Sequence, residues 1–299
     1  MINVIVEKRR GRSTLLTIGN ETKPVSQWAK DTGINQRLIN ERINNGWTED
    51  KLFQQPGSCI PHPFNNHYFD NIDTEDKAYW IGFIWCDGYM AIRKRRGSTS
   101  YEFKLSLKDT DYEHLKKFNK CIDGNYSINF YDCSNTFKEA IEARLLITNQ
   151  HFGKVLVEQY GIVPYRNDCS KILKHIPNHL MKHFIRGVLD ADGSFVKYHI
   201  IERGYDVTKY SISIGTNEDI LRAIEQHLVD NKFAAPCVRK LQKRHKEDDR
   251  DGEYRSLNFS GKSQTISILN YIYQDASIYL DRKYYKYLEI VGDVNCNIK

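Results

Sequence analysis

Two short apolar segments, each ending in an acid followed by glycine, restrict what this chain can fold into. The first reads WIGFIWCDG over 80–88 and the second IRGVLDADG over 185–193. Each reads as a helix that carries apolar residues through more than two turns. Gly82 and Cys86 are four residues apart, and so are Gly187 and Ala191. That spacing places each pair on one helix face. Small residues on one face let two backbones approach closely. The spacing therefore predicts that the two helices pack on each other through Gly82 and Gly187. Packing would bring together Asp87 and Asp192, the last acids of the two segments. An acid at a helix C-terminus is disfavoured by about 0.3–1 kcal/mol, because the dipole is negative there. Two such acids also repel, and a cation between them removes the cost. Their carboxylates, with the carbonyls of Cys86 and Ala191, form a hard-oxygen site suited to Mg²⁺, for which Mn²⁺ could substitute. Gly88 and Gly193 follow as residues expected to turn left-handed past the helix end. One Asp-Gly after an apolar helix is an ordinary turn. Two copies, each with a glycine five residues before the Asp, point to a paired device.

The surrounding chain repeats an order of elements. From residue 78 onward, helix, strand pair, helix and strand pair occur twice, a weak internal repeat. Strand alternation puts every second side chain on one face. In TKYSISIG this turns Lys209, Ser211 and Ser213 outward and Tyr210, Ile212 and Ile214 inward. Two hairpins are cationic: one carries Arg93, Lys94, Arg95 and Arg96, the other Arg239, Lys240, Gln242, Lys243 and Arg244. The net charge of +6 is modest, so its placement carries the argument for nucleic acid.

Residues 1–57 read as a separate small domain. After two short strands, Ser26 is the expected N-cap of a helix that Gly33 stops. A second helix follows, with Ile34, Leu38, Ile39 and Ile43 on its inner face. Asn35, Gln36, Arg37, Asn40 and Arg42 are expected outward, a helix-turn-helix arrangement able to reach a major groove. Residues 58–77 read as a linker, in which His62 and His67 are expected to be solvated. His175, His179 and His183 recur every four residues, but Pro177 interrupts the helix. They are expected to face solvent or DNA phosphate rather than a metal.

Seven cysteines without a C-x-x-C pair speak against a zinc ribbon or a disulfide framework and for a reducing compartment. Neither a signal peptide nor an apolar run of membrane-spanning length is legible. The expected location is the cytoplasm.

IRGVLDADG closely resembles the LAGLIDADG signature of a family of homing endonucleases, and WIGFIWCDG resembles a degenerate copy of it. The run SQWAKDTGINQRLINERINNGW resembles the small helical DNA-binding repeat appended to phage and intron homing endonucleases, through Trp28, Ala29, Gly33, Ile34, Arg42, Gly46 and Trp47. The resemblance implies an α+β fold: two pseudo-symmetric αββαββα halves, 78–178 and 179–299, forming a saddle over double-stranded DNA. It implies a monomer with a helix-turn-helix-like domain at its N-terminus. It also implies that Asp87 and Asp192 bind metal, and that Asp190, replaced by Trp85 in the first copy, is structural. A basic residue is usual after each half's strands, where Lys283 stands in LDRK and Arg166 in GIVPYR. Lys108, at the end of KLSLK, is a further candidate, and its second-half counterpart is expected near Gly215. The implied activity is hydrolysis of both strands of a long DNA target. The alternatives are a maturase that binds intron RNA and a DNA-binding regulator on the same scaffold. An intein is disfavoured, since no His-Asn ends the chain and no splicing blocks flank the motifs.

Overall fold

Short strands and an apolar helix pair build the N-terminal unit. The structure is a computed structural model that describes residues 5–7, 14–44, 52–53, 63–95, 97–133, 141–164, 168–243 and 254–295. The chain divides into two compact units, Met1–His62 and Pro63–Lys299. In the first, β1 (Ile5–Glu7), β2 (Leu15–Ile18) and β3 (Glu21–Pro24) form an antiparallel sheet in that order. α1 (Val25–Thr32) and α2 (Gln36–Asn44) follow, separated at Gly33, whose φ of +68° suits glycine. Leu16, Val25, Ile34, Ile39 and Leu52 close the core.

Three expectations change here. β3 was not foreseen; ETKP is a poor strand by composition and forms by pairing along β2. Ser26 is not the N-cap, because α1 begins at Val25 with Pro24 at the cap. Arg42 is buried rather than outward, and its guanidinium donates to the Leu52 carbonyl at 2.9 Å. Gln36 and Arg37 are exposed and Asn40 is half-buried.

The second unit is α+β with antiparallel sheets. Its first run is α3 (Glu75–Asp87), β4 (Gly88–Arg95), β5 (Ser98–Lys108), α4 (Tyr112–Cys121), β6 (Ile128–Asp132), β7 (Ile141–Thr148) and α5 (Gln150–Glu158). Then come α6 (Ser170–His175), α7 (Met181–Asp192), β8 (Gly193–Glu202), β9 (Tyr205–Asn217), α8 (Glu218–Asp230), β10 (Gln242–Lys243), β11 (Tyr254–Ser260), α9 (Lys262–Tyr273) and α10 (Asp281–Asn295). The sheets pair as β4-β5-β7-β6 and β8-β9-β11-β10, the same order in each run. Alternation selects their inner faces: Phe103, Leu105 and Leu107 on β5, and Tyr210, Ile212 and Ile214 on β9, are buried.

α3 and α7 pack on each other at the centre of this core. A Cβ on Gly187 would overlap the Tyr79 carbonyl oxygen, and one on Gly82 would overlap that of Phe184. Only hydrogen fits at the crossing.

A buried Arg186 binds the second run to the first. It donates to the carbonyls of Ile278 and Ile272, to Glu75 Oε1 at 2.7 Å and to His183 Nδ1 at 3.0 Å. His183 is therefore buried, not turned to solvent or phosphate as its spacing suggested. Burial and the Arg186 charge push its pKa down to about 4. Burial also lowers His114, far below the usual value, and His227. All three favour the neutral form in the fold, so stability is lost as pH falls below about 6.5, and for His183 the loss continues toward 4. The expected loss is about 1–3 kcal/mol. Urea midpoints measured from pH 7 to 4.5 should fall steadily, and a flat profile would contradict this origin.

Candidate active site

Asp87 and Asp192 are the last residues of α3 and α7, and both are half-buried. The chain enters a strand at the next residue of each. Gly88 has φ −73°, ψ 144° and Gly193 has φ −98°, ψ 169°, so both are extended, contrary to the expected left-handed caps. Their glycines answer a different need. A Cβ would lie 2.7 Å from the carbonyl oxygen of Ile84 or Leu189, respectively. Close approach, not positive φ, requires glycine here.

The end of α7 leaves main-chain carbonyls in need of donors. Lys283, in the first turn of α10 and only 5% exposed, supplies them. Its ammonium donates to the carbonyls of Leu189, Asp190 and Gly193 at 2.5, 2.6 and 2.8 Å. Burial pushes its pKa down to about 8, opposed by the negative charges of Asp190, Asp87 and Asp192. Both helix-end acids thus act on one buried cation.

Asp190 is fully buried beneath them. It accepts from Tyr79 Oη at 2.8 Å, Tyr273 Oη at 2.5 Å and the Leu280 N–H at 2.8 Å. Burial raises its pKa, while the Lys283 charge and these donors oppose the rise. Tyr79 Oη also lies 2.9 Å from His114 Nε2. Because Tyr79 gives its proton to Asp190, His114 must donate from Nε2. The corresponding position in the first run, Trp85, donates from Nε1 to Asn217 Oδ1 at 3.2 Å.

Asp192 opens on a cleft of about 380 Å³ whose lining includes Ser194, Ser213, Gln242 and Ser256. The Tyr254 hydroxyl lies 2.8 Å from Asp192 Oδ2 and 2.9 Å from the Gly215 carbonyl, and gives its single proton to one of them. Tyr254 went unnoticed in the sequence. The available signal was Gly215, an isolated glycine in an alternating strand. A Cβ there would stand 3.1 Å from the Tyr254 hydroxyl oxygen.

No protein-family model and no curated protein matches the chain significantly. Solved structures do. One is the LAGLIDADG meganuclease I-AabMI bound to uncleaved DNA: 13% identity, 73% of this chain and 90% of that one covered, TM-score 0.47. A second is the I-SmaMI LAGLIDADG homing endonuclease bound to cleaved DNA: 12% identity, 74% and 89% covered, TM-score 0.48. A third is the I-LtrWI LAGLIDADG homing endonuclease bound to target DNA: 12% identity, 78% and 92% covered, TM-score 0.49.

The remaining candidates fall into distinct places. Cys86 and Ala191 are half-buried beside the two acids. Lys108 is exposed at the end of β5, on the face opposite Leu107. Gly88 pairs with Leu105 and Gly193 with Ile214. By that register the counterpart of Lys108 is Asn217, the partner of Trp85, and not Gly215. Arg93 is exposed and bonded to Glu102 at 3.1 Å, and Lys94 is exposed. Lys209 pairs with Glu202 at 2.6 Å, beside half-buried Ser211 and Ser213. Lys240 and Gln242 are exposed. Arg166, Arg96 and Arg244, and the side chains of Arg95 and Lys243, lie outside the described residues.

Arg239 departs from its expected role. It is not in a strand, and its side chain is 12% exposed. It bonds Glu225 at 3.3 Å, the carbonyls of Ala235 and Cys237, and Gln264, and it covers the Phe259 ring. Residues 237–241 are thereby held as irregular chain, and β10 starts only at Gln242. Among the described residues, no helix is long and apolar enough to cross a membrane.

Proposed function

We propose that the chain is a site-specific, metal-dependent double-strand DNA endonuclease of the LAGLIDADG homing type, working as a monomer. One observation carries the reading: two acids close the ends of helices that pack through glycine, and a buried lysine is bonded to the main chain at one of those ends. The helix dipole disfavours acids at C-termini, so fold stability gives no reason to place them there. The donor types fit a hard divalent cation such as Mg²⁺, with Mn²⁺ substituting: a half-buried carboxylate at each helix end, with helix-end carbonyls next to it in the chain. A bound ion would polarise the scissile phosphate and make water more acidic.

The residues of the chain have separable tasks in this reading. Asp87 and Asp192 hold the ion, with the Cys86 and Ala191 carbonyls close by. Tyr254 orients Asp192 through its 2.8 Å contact. Lys283 fixes the end of α7 and offsets the charge of the acids. Lys108 and Arg166 are proposed to stabilise the phosphate transition state, and Gln242, Ser213 and Ser256 to order water or phosphate in the cleft. The two runs, 78–178 and 179–299, act as pseudo-symmetric halves, one for each DNA strand. Arg93, Lys94, Arg95, Arg96, Lys209, Lys240, Lys243 and Arg244 supply DNA contacts. The helix pair within 1–57, through Gln36, Arg37 and Asn40, adds affinity in the manner of a helix-turn-helix. Target choice is spread over sheet side chains and DNA bending.

The test is incubation with Mg²⁺ and the DNA flanking the gene, with any intron removed. A double-strand break at one position is expected. Tight binding without cutting in Mg²⁺ or Mn²⁺ would overturn the reading in favour of a regulator, and preference for folded intron RNA would favour a maturase.

A further inference from the structure

Segment 63–73 leads into the N-terminal end of α3, whereas Asp87 lies at its other end, about 18 Å of helical rise away. The segment is anchored from below. Tyr68, Phe69 and Ile72 are buried. Tyr160 Oη donates to the Phe69 carbonyl at 2.7 Å and Gln159 Nε2 to the Asp70 carbonyl at 3.1 Å. On this firm backbone, His67 and Asp70 meet His151 from the first turn of α5. His67 Nδ1 lies 2.7 Å from Asp70 Oδ2, and His151 Nε2 lies 2.7 Å from Asp70 Oδ1. The two imidazole rings stand 4.1 Å apart. One donor atom from each residue lies within 4.8 Å of the other two.

We propose that His67, Asp70 and His151 form a Zn²⁺ site that fastens segment 63–73 to α5. Zinc ligands sit about 2.0–2.2 Å from the ion, which sets tetrahedral neighbours roughly 3.3 Å apart. The two imidazoles now contact different oxygens of Asp70 at 2.7 Å, and each contact would lengthen by about half an ångström around an ion. Two imidazole nitrogens with one carboxylate select a borderline ion over Mg²⁺. His67, Asp70 and His151 side chains are 63%, 35% and 39% exposed, so an ion can enter and water can take the fourth position. Without an ion the carboxylate staples the two rings by hydrogen bonds. The site is independent of the endonuclease reading.

The untagged full-length chain is to be dialysed against Zn²⁺ and its metal content measured. One ion per chain is expected at micromolar free Zn²⁺. The double variant His67→Ala, His151→Ala should bind at least about tenfold more weakly, since removing even an outer-shell partner costs that much. Absence of zinc from the wild type, or equal affinity in the double variant, overturns the proposal. Should the variant fail to fold, Co²⁺ bound to the wild type decides. A visible spectrum of nitrogen and oxygen ligation supports the site, and a thiolate charge-transfer band assigns the ion to cysteine and overturns it.

Discussion

Asp192→Asn is expected to abolish double-strand cleavage while leaving fold and DNA affinity in place. The amide matches the carboxylate in shape, and its oxygen can still accept from Tyr254. What disappears is negative charge at the end of α7. Without it the proposed cation loses an anionic ligand and the transition state loses several kcal/mol, about a thousandfold or more in rate. Asp87→Asn should behave alike, because Asp87 holds the same place at the end of α3. DNA affinity should hold or rise, since an acid proposed to face phosphate has been neutralised. Cleavage of linear target and gel-shift titration read the two quantities separately. Undiminished cutting by Asp192→Asn would remove the helix-end acids from the mechanism.

Gly187→Ala is expected to destabilise the fold by about 3 kcal/mol, as overpacking outweighs the roughly 1 kcal/mol gained in helix propensity. The added methyl meets the Tyr79 carbonyl and the Phe83 nitrogen, backbone atoms with no flexible end to yield. The helices would have to separate, which also parts Asp87 from Asp192. Tm should fall by roughly 6–12 °C for a domain of this size. Gly292→Ala is the matched control: nothing lies within 4 Å of its Cβ in α10, and the change should stabilise by about 0.5–1 kcal/mol. Equal melting of the two variants would show that the crossing is looser than its geometry implies.

The central helix pair was legible because its signals are local. Four-residue spacing of small side chains and the position of each acid need no knowledge of the rest of the chain. Strand alternation likewise placed Ile212 and Ile214 inward. Tyr254 was not legible. It lies 62 residues from Asp192, and only the pairing of β11 with β9 brings it there. Arg42, Arg239 and His183 were read as outward because long polar side chains usually are. In each case the demand of buried partners won. Arg42 serves the Leu52 carbonyl, Arg239 serves two loop carbonyls and Glu225, and His183 accepts from Arg186. No periodicity marks which cation will answer such a demand.

The unequal fittings at positions 85 and 190 bear on assembly. In a symmetric dimer, an Asp-to-Trp exchange on this helix would occur twice. Both subunits would bury an indole, and the tyrosines that now bond Asp190 would lose their acceptor together. On one chain the exchange happens once: Trp85 finds Asn217 across the helix pair, and Asp190 keeps its three donors. The helix pair is therefore fitted to two different sequences, and two copies of the first run packed on each other would lack the buried acid that Asp190 supplies.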